Sequence, residues 1–146
     1  MPQKDDFDLL EFLPYLLNQA AEESSLAFQQ VYKGRYGMLR TEWRVLFHLG
    51  MYGQMTAKEI GGRSRMHKTK ISRAVSKLEA RRFLARSRDG QDRRVEHLIL
   101  TSAGQAAYAN LSAVAQRYDV ALVEGLTEAD VDQLKATLRM LARRGR

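Results

Sequence analysis

Residues 67–80 constrain this chain more than any other stretch: His67, Lys68, Thr69, Lys70, Ile71, Ser72, Arg73, Ala74, Val75, Ser76, Lys77, Leu78, Glu79 and Ala80. At about 100° per residue, Ile71, Val75 and Leu78 fall on one side of a helix, with Ala74 beside them. Thr69, Arg73, Ser76 and Ala80 fall on the other. Ser72 takes one shoulder, Lys70 and Lys77 the opposite one. The apolar side has to be held against a core, where each large aliphatic contributes about 1.5–3 kcal/mol when fully buried. The outward side is then hydroxyls, Arg and Lys, the composition that suits a DNA major groove. A solvated face is the plain alternative for a basic helix read alone.

The flanking segments decide between the two. Thr56 and Glu59 stand three apart as a capping box, which predicts a helix from Ala57, with Gly61 and Gly62 ending it in a tight turn. After the basic helix, 84–88 and 95–100 alternate as two short strands around the turn residues Asp89, Gly90, Gln91 and Asp92. Arg86, Arg88, Arg93 and Arg94 are expected to crowd at its tip. Helix, turn, basic helix and basic hairpin in this order make a winged helix-turn-helix.

Charge is concentrated in the same place. Between Lys58 and Arg94 stand thirteen Lys and Arg against four Asp and Glu, a local excess of nine. The whole chain carries +7, so the rest is net acidic by two. Positive charge confined to one segment points to a polyanion docking there. A membrane surface requires aromatic or Leu side chains beside the bases, and the outward face of 69–80 has none.

The outer segments read as amphipathic helices. Pro14 suits a helix start, and Leu17, Ala21, Ser24, Phe28 and Val31 step by four and three up to Gly34 and Gly37, a narrow coiled-coil-like seam. A helix over 42–52, capped by Thr41, turns Trp43, Leu46, Phe47 and Gly50 inward. Thr101 caps a helix over 102–124 with the stripe Ala107, Leu111, Val114, Tyr118 and Leu122, stopped by Gly125. Thr127 and Asp130 begin a last helix striped by Val131, Leu134, Leu138 and Leu141, before the short basic tail at 143–146. The resulting fold class is mainly α, about six helices with a small β-hairpin wing. At 146 residues the chain makes one domain, with 40–100 as the DNA-binding lobe. Segments 7–36 and 102–143 leave apolar stripes that a second copy of the chain would cover, making a homodimer on paired DNA half-sites.

This order of elements resembles the MarR family of winged helix-turn-helix regulators. The likeness runs through 41–46 (Thr-Glu-Trp-Arg-Val-Leu), 56–60 (Thr-Ala-Lys-Glu-Ile) and 72–79 (Ser-Arg-Ala-Val-Ser-Lys-Leu-Glu). Its most specific part is Asp92, Arg93 and Arg94 followed by a Leu-Thr-x-x-Gly helix start at 100–104. The resemblance implies a dimer with interleaved terminal helices, recognition helices in successive major grooves, and wings in the flanking minor grooves. Arg93 or Arg94 then looks like the minor-groove arginine, and Asp92 like the carboxylate that pins the wing through a neighbouring Arg. Phe83 stands where the family commonly has Gly, so the helix end at Arg81 and Arg82 is expected to differ. The family often binds small aromatic acids; Tyr32, Tyr36, Trp43, Phe47 and His48 would line such a crevice, with Arg44 facing the carboxylate.

Physics divides the recognition residues in the same way. Lys68, Lys70 and Lys77 suit phosphates, which fix register; Arg73 with Thr69, Ser72 and Ser76 suits base edges, and His67 opens the helix. An Arg is drawn into a narrow A·T-rich minor groove by its negative potential. Catalysis is not indicated. His48, His67 and His97 lie on separate elements without metal-ligand spacing, and no phosphate loop or nucleophile elbow occurs. No cofactor is implied, and the absence of Cys rules out a thiol switch. Without a signal peptide or long apolar run, a cytoplasmic protein with no membrane contact is expected. A sequence-blind architectural DNA protein remains the alternative, sharing the basic segment but lacking a preferred operator.

Overall fold

The computed structural model describes residues 6–144; expectations for the first five residues and the last two fall outside them. A 3-10 turn, Leu9–Glu11, leads into α1 (Leu13–Tyr36), α2 (Arg40–Tyr52), α3 (Ala57–Ser64) and α4 (Lys68–Ala80). The hairpin β1 (Leu84–Arg88) and β2 (Glu96–Leu100) follows, then α5 (Ser102–Leu122) and α6 (Glu128–Arg144). The chain divides between Val114 and Ala115 into two compact units.

In the first unit, Pro14 sits in the opening turn of α1, and Gly37, at φ 63°, closes it with its N–H on the Lys33 carbonyl. Gly34 lies inside the helix rather than at its end. Of the α1 residues only Phe28 and Tyr32 are buried; Leu17 and Ala21 on the expected seam stay exposed. Helix α2 starts two residues earlier than its sequence suggests. Leu39 occupies the cap with no side-chain bond, its carbonyl taking the Glu42 and Trp43 amides, and Thr41 is already helical. The shift buries Glu42, Val45, Leu46 and Leu49, while Trp43, Phe47 and Gly50 are half-buried on the flank that meets α5. There Gly50 is required: a Cβ would lie 2.5 Å from the Tyr108 ring.

The capping box of α3 forms as its residues dictate. Thr56 Oγ1 accepts from the Glu59 amide at 3.1 Å, and Glu59 Oε1 accepts from the Thr56 amide at 3.0 Å. The Thr56 amide, then its hydroxyl, hold the Glu59 carboxyl below the usual carboxylate range. The helix then runs through Gly61 and Gly62 and ends at Arg65, at φ 60°, which corrects the turn expected at the two glycines. The reason is tertiary. A Cβ on Gly61 would stand 3.2 Å from Ile71 Cδ1, so this glycine serves the close approach of α4.

Helix α4 packs on α2 and α3 through Ile71, Ala74, Val75 and Leu78, all buried. The hairpin pairs Leu84 with Leu100, Arg86 with Leu98 and Arg88 with Glu96, and Met55 adds a further bridge to Leu98. Between α4 and β1 the left-handed residue is Arg82, at φ 65°, within the helix end at Arg81 and Arg82 where a different shape was expected. Thr101 locks this joint: its hydroxyl donates to the Arg82 carbonyl at 2.6 Å and accepts from the Gly104 amide at 3.1 Å. Its own amide donates to the Phe83 carbonyl at 3.0 Å. The Leu-Thr-x-x-Gly pattern is therefore a clasp of α5 onto the wing base. In the second unit, α6 begins with Thr127 and Asp130 exchanging amide bonds at 3.0 and 3.1 Å.

Two stability changes of opposite sign follow. A Cβ on Gly104 would meet the Phe83 carbonyl oxygen at 2.0 Å, so Gly104→Ala should destabilise by about 1–3 kcal/mol through overpacking. Arg82→Gly relieves about 1–2 kcal/mol of left-handed strain against about 0.5–1 kcal/mol of added unfolded-state freedom, a net gain of up to about 1.5 kcal/mol. Urea unfolding at fixed protein concentration measures both. A neutral Gly104→Ala or a destabilised Arg82→Gly would contradict this account of the joint.

Candidate nucleic-acid interface

Anchoring α4 by Ile71, Ala74, Val75 and Leu78 turns its other side to solvent. Lys68, Thr69, Lys70, Ser72, Arg73, Ser76 and Lys77 are all exposed. His67 is the N-cap, its Nδ1 accepting from the Thr69 amide at 3.3 Å. Arg73, Lys70 and Lys77 form no ion pair among the described residues. Their charge is available to a polyanion.

The wing is built by two carboxylates. Asp89 Oδ2 accepts from the Gln91 and Asp92 amides at 3.1 and 2.9 Å, and its Oδ1 meets His97 Nε2 at 3.1 Å. These bonds, that of His97 foremost, hold the Asp89 carboxyl below its ordinary value. Asp92 takes the Arg94 amide, Nε and Nη2 at 3.0, 3.1 and 3.3 Å, which lowers its pKa too. Arg94 is thus held by its guanidinium while its side chain remains 91% exposed. Arg93 is exposed as well, and its carbonyl accepts from Arg88 Nη1 at 2.6 Å.

Arg86 is placed differently from its expected position at the tip. Its Nε donates to Glu79 Oε1 at 3.0 Å, Nη1 to Glu96 Oε1 at 3.3 Å and Nη2 to Ser76 Oγ at 3.3 Å. Partial burial works against its charge, but Glu79 and then Glu96 outweigh that and raise its pKa. Strand alternation held the signal, because Arg86 shares a face with buried Leu84. Asp89 was readable as an Asx turn. The partnership of Glu79 and Glu96 required the folded register.

The aromatic residues expected around an effector pack against one another. Tyr32 is buried between Phe28 and Trp43; Trp43 and Phe47 meet edge-on at 5.1 Å, and Phe47 meets Tyr108 at the same distance. Tyr36 donates its hydroxyl to Asn110 at 2.9 Å. Arg44 is exposed, and its carbonyl lies 2.7 Å from His48 Nδ1. A cleft of about 560 Å³ opens elsewhere, between α3, α4 and the hairpin, with Ile71, Val75 and Leu98 in its walls. Among the described residues no group of three acidic, His or Cys side chains could hold a metal ion, and no helix is long and apolar enough to cross a membrane.

Comparison with known proteins converges on this architecture. A model of the MarR family matches residues 36–95. YwoH of Bacillus subtilis (strain 168), an uncharacterised HTH-type transcriptional regulator, is 25% identical over 105 residues, 72% of this chain and 76% of its own. A MarR/EmrR family transcriptional regulator from Acinetobacter sp. ADP1 superimposes with a TM-score of 0.84 at 26% identity, covering 94% of this chain and 97% of that one. BpsR of Bordetella bronchiseptica, whose DNA binding is regulated by 6-hydroxynicotinic acid, shares the fold at a TM-score of 0.85 and 23% identity, over 94% and 97% of the two chains. With its helix-turn-helix, wing and clasp in place, the chain carries over residues 36–95 the winged helix-turn-helix that the MarR family of transcriptional regulators shares.

Proposed function

We propose that the chain is a sequence-specific double-stranded DNA-binding repressor that acts as a homodimer on a palindromic operator and is released by a small aromatic acid. The observation that carries this reading is the division of α4: one face buried, the other offering Thr69, Ser72, Arg73, Ser76 and Lys77 to solvent beside an arginine-tipped hairpin. A face of this composition reads base edges through Arg73 and the hydroxyls, while Lys68, Lys70 and Lys77 take phosphates. Arg93 or Arg94 enters the minor groove, with Asp92 orienting the latter. Occupying a promoter excludes other proteins from it, which makes repression the simplest output.

Self-association is supported by apolar surface in each unit. Phe7, Leu10, Leu13 and Leu16 are exposed in the first, and Val120, Leu126, Leu134 and Leu138 in the second. Exposure on this scale marks an interaction surface. On this reading residues 40–100 are the DNA-binding lobe, and 7–36 with 102–143 are the dimerisation segments. A two-fold dimer dictates operator symmetry. The effector reading draws on the likeness to BpsR. Its candidate residues are Tyr32, Tyr36, Trp43, Phe47 and His48, with Arg44 for the carboxylate. Release follows if the acid binds better to the form that does not fit the operator.

Selection of bound DNA from a random pool should return an enriched palindrome. On that site Arg73→Ala should cost about 1–3 kcal/mol and flatten preference at one base position. A pool without enrichment would favour a sequence-blind architectural protein, and unchanged discrimination by the variant would remove Arg73 from base reading. Sedimentation should give a dimer at micromolar concentration, shifted to monomer with weakened operator binding by Leu134→Glu combined with Leu138→Glu. A wild-type chain that sediments as a monomer bound singly to DNA would refute the dimer.

A further inference from the structure

We propose that Arg86 is a positioning residue for DNA binding, tying the wing to the recognition helix rather than touching the duplex itself. The inference rests on the DNA-binding reading above. Arg86 reaches from β1 to α4, where Glu79 and Ser76 take its Nε and Nη2, while Glu96 on the paired strand takes its Nη1. Every guanidinium nitrogen therefore has a partner, and its planar fork fixes their relative placement. The side chain is 30% exposed, against 91% for Arg94 at the tip.

Charge argues the same way. One guanidinium between two carboxylates leaves the group net negative by one, so an approaching phosphate meets repulsion rather than a free cation. Packing of Leu84, Leu98 and Leu100, with the Met55 bridge, anchors the base of the wing. The cleft between α3, α4 and the hairpin separates these elements, and Ser72, Val75, Arg86, Glu96 and Leu98 line it. Across that gap, beyond the buried base, the ion-pair bridge adds a second tie that helps set how far the wing stands from α4. That distance has to match the separation of a major groove from its neighbouring minor groove if both elements are to engage one duplex. Removing the bridge leaves the reading side chains intact and lets the wing wander, so binding loses pre-organisation rather than a phosphate contact.

The test uses the full chain and the operator recovered by selection, titrated at several salt concentrations. The proteins are wild type, Arg86→Gln, Glu79→Gln with Glu96→Gln, and the triple variant, each first confirmed as folded by its thermal transition. Arg86→Gln should weaken binding on the order of tenfold, with the slope of log affinity against log salt unchanged. In the background lacking both carboxylates the same substitution should change affinity little, because its partners are already gone. A slope shallower by about one, the loss of one phosphate contact, would overturn the proposal. So would an equal loss of affinity in that background. Hydrogen exchange reads the tie without DNA: the Asp89 amide, bonded to the Val95 carbonyl across the hairpin end, should exchange faster in Arg86→Gln, and an unchanged rate would also overturn it. Failure of wild type to bind any DNA would sink the functional reading, while the exchange measurement would still decide whether Arg86 holds the wing.

Discussion

The contact between α2 and α4 is the constraint from which the rest of the first unit follows. Val45, Leu46 and Leu49 on one helix and Ile71, Ala74, Val75 and Leu78 on the other are all buried, with Ile60 of α3 completing the seam. A helix fixed by one face has no freedom in what the opposite face displays. Thr69, Arg73 and Ser76 point outward because Ile71, Val75 and Leu78 cannot, and one residue of slip would turn the helix by about 100°. The wing inherits the same placement. The Phe83 amide bonds the Leu78 carbonyl at 2.8 Å, and Thr101 bonds the Arg82 carbonyl, so the hairpin starts from the end of α4 with little slack.

Where these helices end, one arginine joins three of them. Arg81 Nη1 donates to the Tyr36 and Gly37 carbonyls at the end of α1 and lies 3.7 Å from Glu42 of α2. A cation suits that position, since the last carbonyls of a helix lack intrahelical partners and carry its negative end. Glu42 is 1% exposed, and its Oε1 has no hydrogen-bond partner among the described residues. Desolvation of the buried Glu42 offsets much of its attraction to the exposed Arg81 guanidinium, so the net stabilisation is small. Its consequence is geometric: Gly37, in the left-handed conformation, lies directly against the Arg81 guanidinium, and the ends of α1 and α4 meet there.

How much of this was legible depends on how local each cause is. The faces of α4 follow from its 3.6 period, the two capping boxes from residues three apart, and the hairpin from Asp89 and Gly90 between alternating runs. All of these formed. Expectations failed where a neighbour distant in sequence decided the outcome. Gly61 and Gly62 read as a stop by local propensity, yet the approach of Ile71 explains a glycine within a continuing helix. Thr41 read as a cap, but α2 begins with Leu39 at the N-cap and buries Glu42. Arg86 was placed at the tip by proximity to other arginines, although alternation already set it on the face of Leu84. Its partners Glu79 and Glu96 became visible only with the strand register.

That last case bears on what a local charge excess means. The field that draws a polyanion toward 58–94 sums every charge there, paired or not. Contacts at short range depend on which cations remain unspent. Arg81 binds carbonyls and lies near Glu42, Arg86 holds two carboxylates, Arg88 holds a carbonyl and Arg94 is oriented by Asp92. Those bonds shape the surface, whereas Lys70, Arg73 and Lys77 carry exposed charge on α4 without an ion pair among the described residues. An excess of nine therefore overstates the phosphates one copy can neutralise. Part of the basic segment builds the frame from which the remainder reaches the duplex.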